Sequence, residues 1–209
     1  MKNKKADIIE KWLREGKDDA ENIVDLPWEV KKEQDENAII LVASHLRFPV
    51  PIVFRIDNYN TTIMVEIDYP TDSMEPTARM EIYRNLLKIN TELPYIKTGL
   101  VGDDLYVILL GEVETARVDH DTLNNYMELL LSGLFRVASS LGLENDLIQI
   151  TMENIVTVVD EKRKSGMKKE EVEEYLATKL NLPKDQVATI IDKIYKGASK
   201  DSGVGDSYF

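Results

Sequence analysis

Residues capable of metal or acid–base chemistry are few in this sequence, and they are scattered. The chain has two histidines, His45 and His120, and no cysteine. Asp119-His120-Asp121 combines an imidazole with two carboxylates, which are ligand types for divalent ions. The same residues suit a helix start, where an Asp caps backbone N–H groups and acids meet the positive helix end. Because no further His or Cys is available to complete a tight site, we expect a cap here, with no metal and no cofactor.

Glu66 and Asp68 are the other candidates for acid–base chemistry. They stand two apart on a predicted strand, so they share one face of it, as a general acid–base pair must. Such a pair more often lies on the solvent side of a half-exposed strand. The sequence also lacks the phosphate-binding, dinucleotide-binding, zinc-protease and serine-hydrolase motifs. We therefore predict no catalytic residue, and an enzyme with a composite carboxylate site is the third hypothesis for function.

A predicted hairpin and a long helix form the central part of the chain. Tyr95–Val101 and Leu105–Leu110 flank a Gly-Asp turn, and a helix follows from Asp119 to Leu141. The run Leu105–Leu110 is apolar at every position, whereas a strand with one wet face alternates. This pattern predicts a central strand that is covered on both faces.

The segments before the hairpin predict one helix, four strands and a second helix. The clearest alternation is in the fourth strand, where apolar residues occupy 63, 65, 67 and 69. Asp72 or Ser73 is the expected cap of the second helix. The predicted fold class is α+β, an antiparallel sheet in the order α-β-β-β-β-α-β-β-α with a C-terminal helical extension.

The chain divides into three parts by pattern. Residues 1–142 form the predicted α+β domain, and Gly142 ends its long helix. Residues 143–196 predict a small module of three helices, at 146–164, 168–180 and 184–196. Residues 197–209 are rich in Gly, Ser and Asp and predict a disordered tail. The pattern leaves open whether the three helices pack on their own sheet or on another subunit.

The net charge of −12 limits the partners of the protein. Nucleic acids and anionic membranes require basic surface, so an acidic body makes both poor partners. No run approaches the ~20 apolar residues that span a bilayer. The lack of cysteine fits a reducing compartment, and we expect a cytoplasmic protein.

A family resemblance follows from the segment Asn85-Leu86-Leu87, Leu93-Pro94-Tyr95, Gly99 and Leu105-Tyr106-Val107, together with the Leu-rich helix after it. This pattern resembles the type III secretion chaperone-like fold, which includes bacterial sensory transduction regulator-like proteins, over residues 1–141. The resemblance implies an α+β sandwich whose members commonly dimerise and bind segments of other proteins without catalysis. The helices after Gly142 depart from the compact members.

Two surface features remain after these assignments. Leu131 and Phe135 widen the apolar stripe of the long helix, which indicates either cover by the C-terminal helices or a seam for a partner. The second feature is a cluster of basic residues before two short, acid-rich helices. It predicts either a solvent-exposed charged face or a nucleic-acid-binding module. It comprises Lys162, Arg163, Lys164, Lys168 and Lys169.

The leading hypothesis is a non-enzymatic protein-interaction protein, adaptor or chaperone-like, that forms a homodimer and binds a protein segment. It rests on apolar surplus in a chain without a catalytic set. The runner-up is a transcription-related protein whose C-terminal helices contact DNA.

Overall fold

The computed structural model describes the backbone of residues 2–201 and the side chains of residues 4–194. The α+β fold predicted from the sequence is confirmed, in the predicted element order. The helices are α1 (Lys2–Arg14), α2 (Pro76–Ile89), α3 (His120–Leu141), α4 (Glu144–Lys164), α5 (Lys169–Leu180) and α6 (Lys184–Asp201). The strands are β1 (Glu29–Gln34), β2 (Ile39–Ser44), β3 (Ile52–Ile56), β4 (Asn60–Pro70), β5 (Ile96–Val101) and β6 (Tyr106–Glu114).

The six strands form one antiparallel sheet in the order β1-β2-β3-β4-β6-β5. β6 therefore lies between β4 and β5, as its apolar sequence predicts. β1 and β5 are the two edges of the sheet. Strands that follow one another in the chain pair with each other, except β4 and β5. β4 pairs instead with β6, after α2 and β5.

One face of the sheet, called here the inner face, carries the main hydrophobic core. α1 contacts β1, β2 and β3, while α3 contacts β4, β5 and β6, and α2 packs beside β5. Strand residues on this face alternate with those on the other face, and their side chains are fully buried at the centre. Central members of this core are Leu41, Phe54, Ile63, Leu109, Ile9, Leu13, Leu123, Met127 and Leu134.

Two glycines allow α3 to lie close to the sheet. A Cβ on Gly111 of β6 would lie 2.6 Å from the ring of Tyr126, and one on Gly133 of α3 would lie 2.8 Å from Cδ2 of Leu109. Each element therefore leaves a gap that a side chain of the other fills. This reciprocal packing fixes the position of α3 over β4, β5 and β6.

The helix ends agree with the sequence at α3 and disagree at α2. Asp119 caps α3, since its carboxylate accepts a hydrogen bond from the N–H of Thr122 at 2.8 Å, and Gly142 ends it with φ of 72°. The expected cap of α2 by Asp72 or Ser73 is wrong, because Glu75 precedes the first residue of that helix without a capping bond. Pro76 supplies the fixed φ that a first helical position favours.

The three C-terminal helices enclose a second hydrophobic cluster. It consists of Ile155, Val159, Val172, Leu176, Val187 and Ile191. Leu147, near the start of α4, belongs instead to the main core, so α4 joins the two clusters. α6 extends to Asp201, five residues beyond its predicted end. The remainder of the predicted tail, 202–209, lies outside the described residues. Within 2–201, no helix has the length and apolar character needed to cross a bilayer.

Candidate functional site: the outer face of the sheet

The second face of the sheet, called here the outer face, carries an apolar row across four adjacent strands. The pairing aligns Val42 of β2 with Val53 of β3, Val53 with Met64 of β4, and Met64 with Leu110 of β6. All four side chains are half-buried. Helices α1, α2 and α3 contact the strands from the inner face. The apolar row on the other face therefore keeps access to solvent. We call these four residues the apolar row.

Charged residues surround the apolar row, and acids predominate. Lys31 of β1 and Lys97 of β5 stand at its two ends by register. The ammonium group of Lys97 turns around the edge of the sheet and donates to the carbonyl of Asn90 at 2.9 Å. Arg55 pairs with Asp57 at 3.3 Å. The outer-face carboxylates are Glu29, Glu33, Glu66, Asp68, Glu112 and Glu114, all exposed.

Acids lie on both sides of the row, and on one side three of them surround Tyr106. Tyr106 lies on the outer face of β6, two residues before Ile108. The negative charge of Asp104 raises the pKa of the Tyr106 hydroxyl, and the charges of Asp68 and Glu66 raise it further. These three carboxylates therefore act on one point of the surface. The outer face thus joins an apolar row to an acidic margin.

Both edges of the sheet are occupied at one position by a side chain from a helix. At β1, the guanidinium of Arg14 donates to the carbonyl of Val30. At β5, the amide group of Asn90 bonds both the N–H and the carbonyl of Thr98. An incoming strand needs these backbone groups. At these two positions, therefore, the edges do not offer free backbone groups to an incoming strand.

His45 lies beside a pocket of about 350 Å³ between the β2–β3 connection and helices α4 and α5. Its Nδ1 accepts a hydrogen bond from the N–H of Arg47 at 3.2 Å, so Nε2 carries the proton of the neutral ring. Nε2 has no partner within the described residues. Burial lowers the pKa of His45 to about 4, and the positive charges of Arg47 and Lys179 act in the same direction. His45 is therefore neutral at physiological pH.

The same connection attaches the C-terminal helices to the rest of the chain. Arg47 donates from Nε to the carbonyl of Lys179 at 3.2 Å and from Nη2 to the carbonyl of Asp18. The Lys179 ammonium pairs with the Asp18 carboxylate at 2.9 Å. Asn154 of α4 donates to the carbonyl of Pro49 at 3.4 Å. These polar contacts hold α4 and α5 at the end of the sheet that carries Glu29 and Ser44, and no residue of the apolar row lines the pocket beside these helices.

The segment Asp119-His120-Asp121, expected from the sequence to be a helix cap, makes structural contacts. His120 Nε2 lies 2.6 Å from Oδ1 of Asp25, and its ring meets Trp12 edge-on at 5.5 Å. This pair connects the start of α3 to the short turn at Ile23–Asp25. Across the part of the chain that the structure describes, no group of three or more His, Asp or Glu side chains is placed to hold a metal ion.

Glu66 and Asp68 are exposed on the outer face rather than gathered in a pocket. A general acid at neutral pH needs a carboxyl with a raised pKa. The carboxyls of Glu10, Asp25, Asp57 and Asp119 have lowered pKa values. At Asp57, for example, hydrogen bonds from the N–H groups of Asn60 and Tyr59 lower the pKa.

The basic cluster predicted as a nucleic-acid alternative is partly engaged inside the helical module. The Lys162 ammonium lies 4.5 Å from the ring centroid of Tyr175, and the Lys169 ammonium pairs with Asp192 at 2.7 Å. The N–H of Lys168 donates to the carboxylate of Glu171 at 2.7 Å, which caps α5. Arg163 is not without a partner either, whereas the side chain of Lys164 is exposed to solvent.

The two residues predicted to bind a partner differ in exposure. Leu131 is 4% exposed and belongs to the main core, so it offers no surface to a partner in this structure. Phe135 is 55% exposed. Sequence reasoning assigned the surplus apolar surface to Leu131 and Phe135 and to strands that are apolar on both faces, but it did not single out the four residues of the apolar row. The signal for that row was the apolar character of both faces of β2 and β6.

The N-terminal part of the chain matches a known family. Residues 8–141 match the family described as a domain of unknown function, DUF8183. The chain belongs to the DUF8183 family. The match begins within α1, includes the whole sheet and α2, and ends with α3, before the C-terminal helices begin. No curated protein matches this DUF8183 member.

Three solved structures are similar to this DUF8183 protein. One is an uncharacterized protein from Methanothermobacter thermautotrophicus, with 13% identity, a TM-score of 0.47, and coverage of 66% of this chain and 96% of that chain. Another is in the heterodimeric complex ExoU-SpcU from the type III secretion system of Pseudomonas aeruginosa, with 17% identity, a TM-score of 0.33, and coverage of 53% and 80%. YbjN from E. coli has 17% identity, a TM-score of 0.35, and coverage of 57% and 84%.

Proposed function

We propose that this DUF8183 protein is a non-enzymatic interaction protein, adaptor or chaperone-like, that binds a segment of another protein on the outer face of its sheet. The observation that supports this function is the apolar row, which crosses four strands and stays half-buried in the single chain. A sheet face usually either packs on a second layer or carries mainly polar side chains. The centre of this face has neither a second layer nor polar side chains, so a partner would supply the missing layer there.

The remaining candidate sites favour binding over catalysis. His45 and His120 are held by neighbouring side chains and backbone, and the outer-face carboxylates stand in solvent. The ionisable groups thus serve as caps, pairs and surface charge. An adaptor needs no more than these, because its work is done by the surface it presents.

The test is capture of partners from the native organism with a pair of matched variants. Met64→Gln, combined with Val53→Thr, removes apolar surface from the row at nearly constant side-chain volume. Met80→Gln is the control, since Met80 is 69% exposed on α2, away from the outer face. We expect a partner that the wild type and Met80→Gln retain and that the double variant loses, as read by quantitative mass spectrometry.

The same experiment also gives the contrary result. If all three proteins retain the same partners in equal amounts, the outer face is not the docking surface. If none of them retains a partner above the level of a blank resin, an adaptor role has no support. Circular dichroism of the double variant excludes unfolding, because both changes are at half-buried positions where we expect a cost of about 1 kcal/mol each.

A further inference from the structure

The outer face has a geometry that selects among possible occupants. Its backbone N–H and C=O groups are used in the ladders between strands, so a partner meets only side chains. A segment lying on it in extended form would leave its own backbone groups without partners in the buried contact. A helix satisfies those groups internally and presents a stripe of side chains.

The spacing of the row suits one helix lying across the strands. Neighbouring strands are about 4.8 Å apart, and an α-helix repeats about every 5.4 Å. Positions i, i+4, i+7 and i+11 therefore advance by nearly one strand per turn. Four apolar side chains of such a helix would each lie over one member of the row: Val42, Val53, Met64 and Leu110.

The charge around the row decides the chemistry of that helix. The outer face carries six carboxylates and three cations, and two of the cations are already engaged, Arg55 with Asp57 and Lys97 with Asn90. Glu66 is the next outer-face residue to Met64 on one side of the row, Asp68 lies two residues farther along β4, and Glu112 is the next outer-face residue to Leu110 on the other side, all with exposed carboxylates. A helix with Lys or Arg beside its apolar stripe complements both margins.

A second copy of this chain fits the face less well. An isologous contact would bring the same acidic margins together, which repels. If the twofold axis ran along the strands, Lys31 would also approach Lys97 of the other copy. Charge thus favours a basic partner over self-association at this surface.

We propose that the outer face binds a basic amphipathic helix of another protein, lying across β2, β3, β4 and β6. This rests on the proposed function, in which the outer face is the docking surface, and it adds the partner's chemistry. The helix has four apolar positions over the row. Its basic side chains pair with Glu66 and Asp68 on one side and with Glu112 on the other.

The test uses two designed peptides with the same apolar stripe, Leu at positions i, i+4, i+7 and i+11. One has Lys and Arg at the flanking positions, and the other has Gln there. Each is titrated into the full-length ¹⁵N-labelled protein at low and at high salt. We expect the basic peptide to bind about tenfold more tightly at low salt, with shifts centred on amides of the four strands, and to lose that advantage at high salt.

Paired protein variants separate specific recognition from general attraction to an acidic protein. Glu66→Gln with Asp68→Asn should weaken the basic peptide about fivefold or more and leave the Gln peptide unchanged. Glu81→Gln with Glu170→Gln removes the same charge at exposed positions on α2 and α5, and should change neither affinity by as much as twofold.

The outcomes distinguish this inference from the function beneath it. If both peptides bind the outer face with equal affinity, and the Glu66/Asp68 variant binds them as the wild type does, the proposal of a basic partner is wrong. The proposal that the outer face is a docking surface is then retained. If both pairs of charge variants weaken the basic peptide alike, the attraction is general and the inference fails. If neither peptide shifts the strand amides and Met64→Gln with Val53→Thr retains every cellular partner, both proposals fail.

Discussion

The side-chain amide of Asn90 is bonded to the backbone of Thr98 as a neighbouring strand would be. Oδ1 of Asn90 accepts the N–H of Thr98 at 2.6 Å, and Nδ2 donates to its carbonyl at 3.2 Å. The hydroxyl of Thr98 also donates to Oδ1 of Asn90 at 3.0 Å. One residue at the end of α2 thereby occupies the edge strand and ties that helix to the sheet.

Asn90→Ala should therefore destabilise the protein and open the β5 edge. Loss of these bonds should lower the free energy of unfolding by about 1–3 kcal/mol, since a half-buried N–H and C=O lose their partner. We also expect concentration-dependent association, read by size-exclusion chromatography, because the freed groups can pair with another strand. Asn85→Ala on the same helix is the control. Equal stability and equal elution of both variants would contradict this role.

Gly133→Ala should be destabilising although alanine favours helices. The added methyl group would lie 2.8 Å from Cδ2 of Leu109, and overpacking of a closed core costs about 1–3 kcal/mol. Leu109→Val should relieve part of this cost in the double variant, because it shortens the side chain that fills the gap. Ser132→Ala, at the exposed neighbouring position, is the control. Denaturant unfolding gives the free energies of the wild type, of Gly133→Ala and Leu109→Val alone, and of the double variant. Strict additivity of the two single effects would argue against a direct contact.

His45 should make the protein less stable in acid. Its folded-state pKa, about 4, is below the ordinary value of 6.5, so the fold favours the neutral ring. The stability that depends on the neutral ring is fully present above pH 6.5. It is lost as the pH falls towards 4, by up to about 3 kcal/mol. His45→Phe should therefore gain stability relative to wild type on acidification, as followed by urea unfolding. Phe48→Leu, which perturbs the same aromatic cluster without removing an ionisable group, should keep the wild-type pH profile. A parallel profile for His45→Phe would refute the assignment.

The homodimer predicted from the sequence can be tested at Phe135. With 55% of its surface exposed on α3, this ring is the remaining member of the predicted seam. We expect a dimer by light scattering at tens of micromolar, weakened by Phe135→Ser and not by Ile148→Ser, which alters an equally exposed apolar side chain on α4. A strict monomer at those concentrations would remove the dimer from the description.

DNA binding by the C-terminal helices is expected to be absent. Lys162 and Lys169 already contact Tyr175 and Asp192, and acids surround them. We expect no gel shift of duplex DNA at low salt. A salt-sensitive shift that disappears on charge reversal at Lys162, Arg163 and Lys164 would restore the transcription-related alternative.

Most of the fold could be predicted from the sequence because the deciding signals are local. The alternation in β4, the cap at Asp119 and the stop at Gly142 each act over a few residues, and the structure has all of them. The cap of α2 was predicted wrongly, because Asp72 and Ser73 both precede Pro76 as candidates and Asp72 instead binds Arg79.

The site was harder to predict because exposure is a property of the assembled sheet. An apolar run such as Leu105–Leu110 indicates that both faces of a strand avoid water, and it predicts cover on each. Ile108 is indeed buried, at 7% exposed, whereas Leu110 remains half-buried. Only the positions of α1, α2 and α3 on one side, and of α4 and α5 at the end of the sheet, reveal which side lacks a layer. The same packing explains why Leu131 is internal.

The engaged edges at Val30 and Thr98 bear on evolution as well as on binding. Domains that capture ligands by strand addition read main-chain atoms, and so tolerate wide variation in what they bind. A sheet that offers only a patterned surface of side chains depends on the identity of each opposing residue. Changes at Val53 or Met64 would then need matching changes in the partner, so the two proteins should vary together.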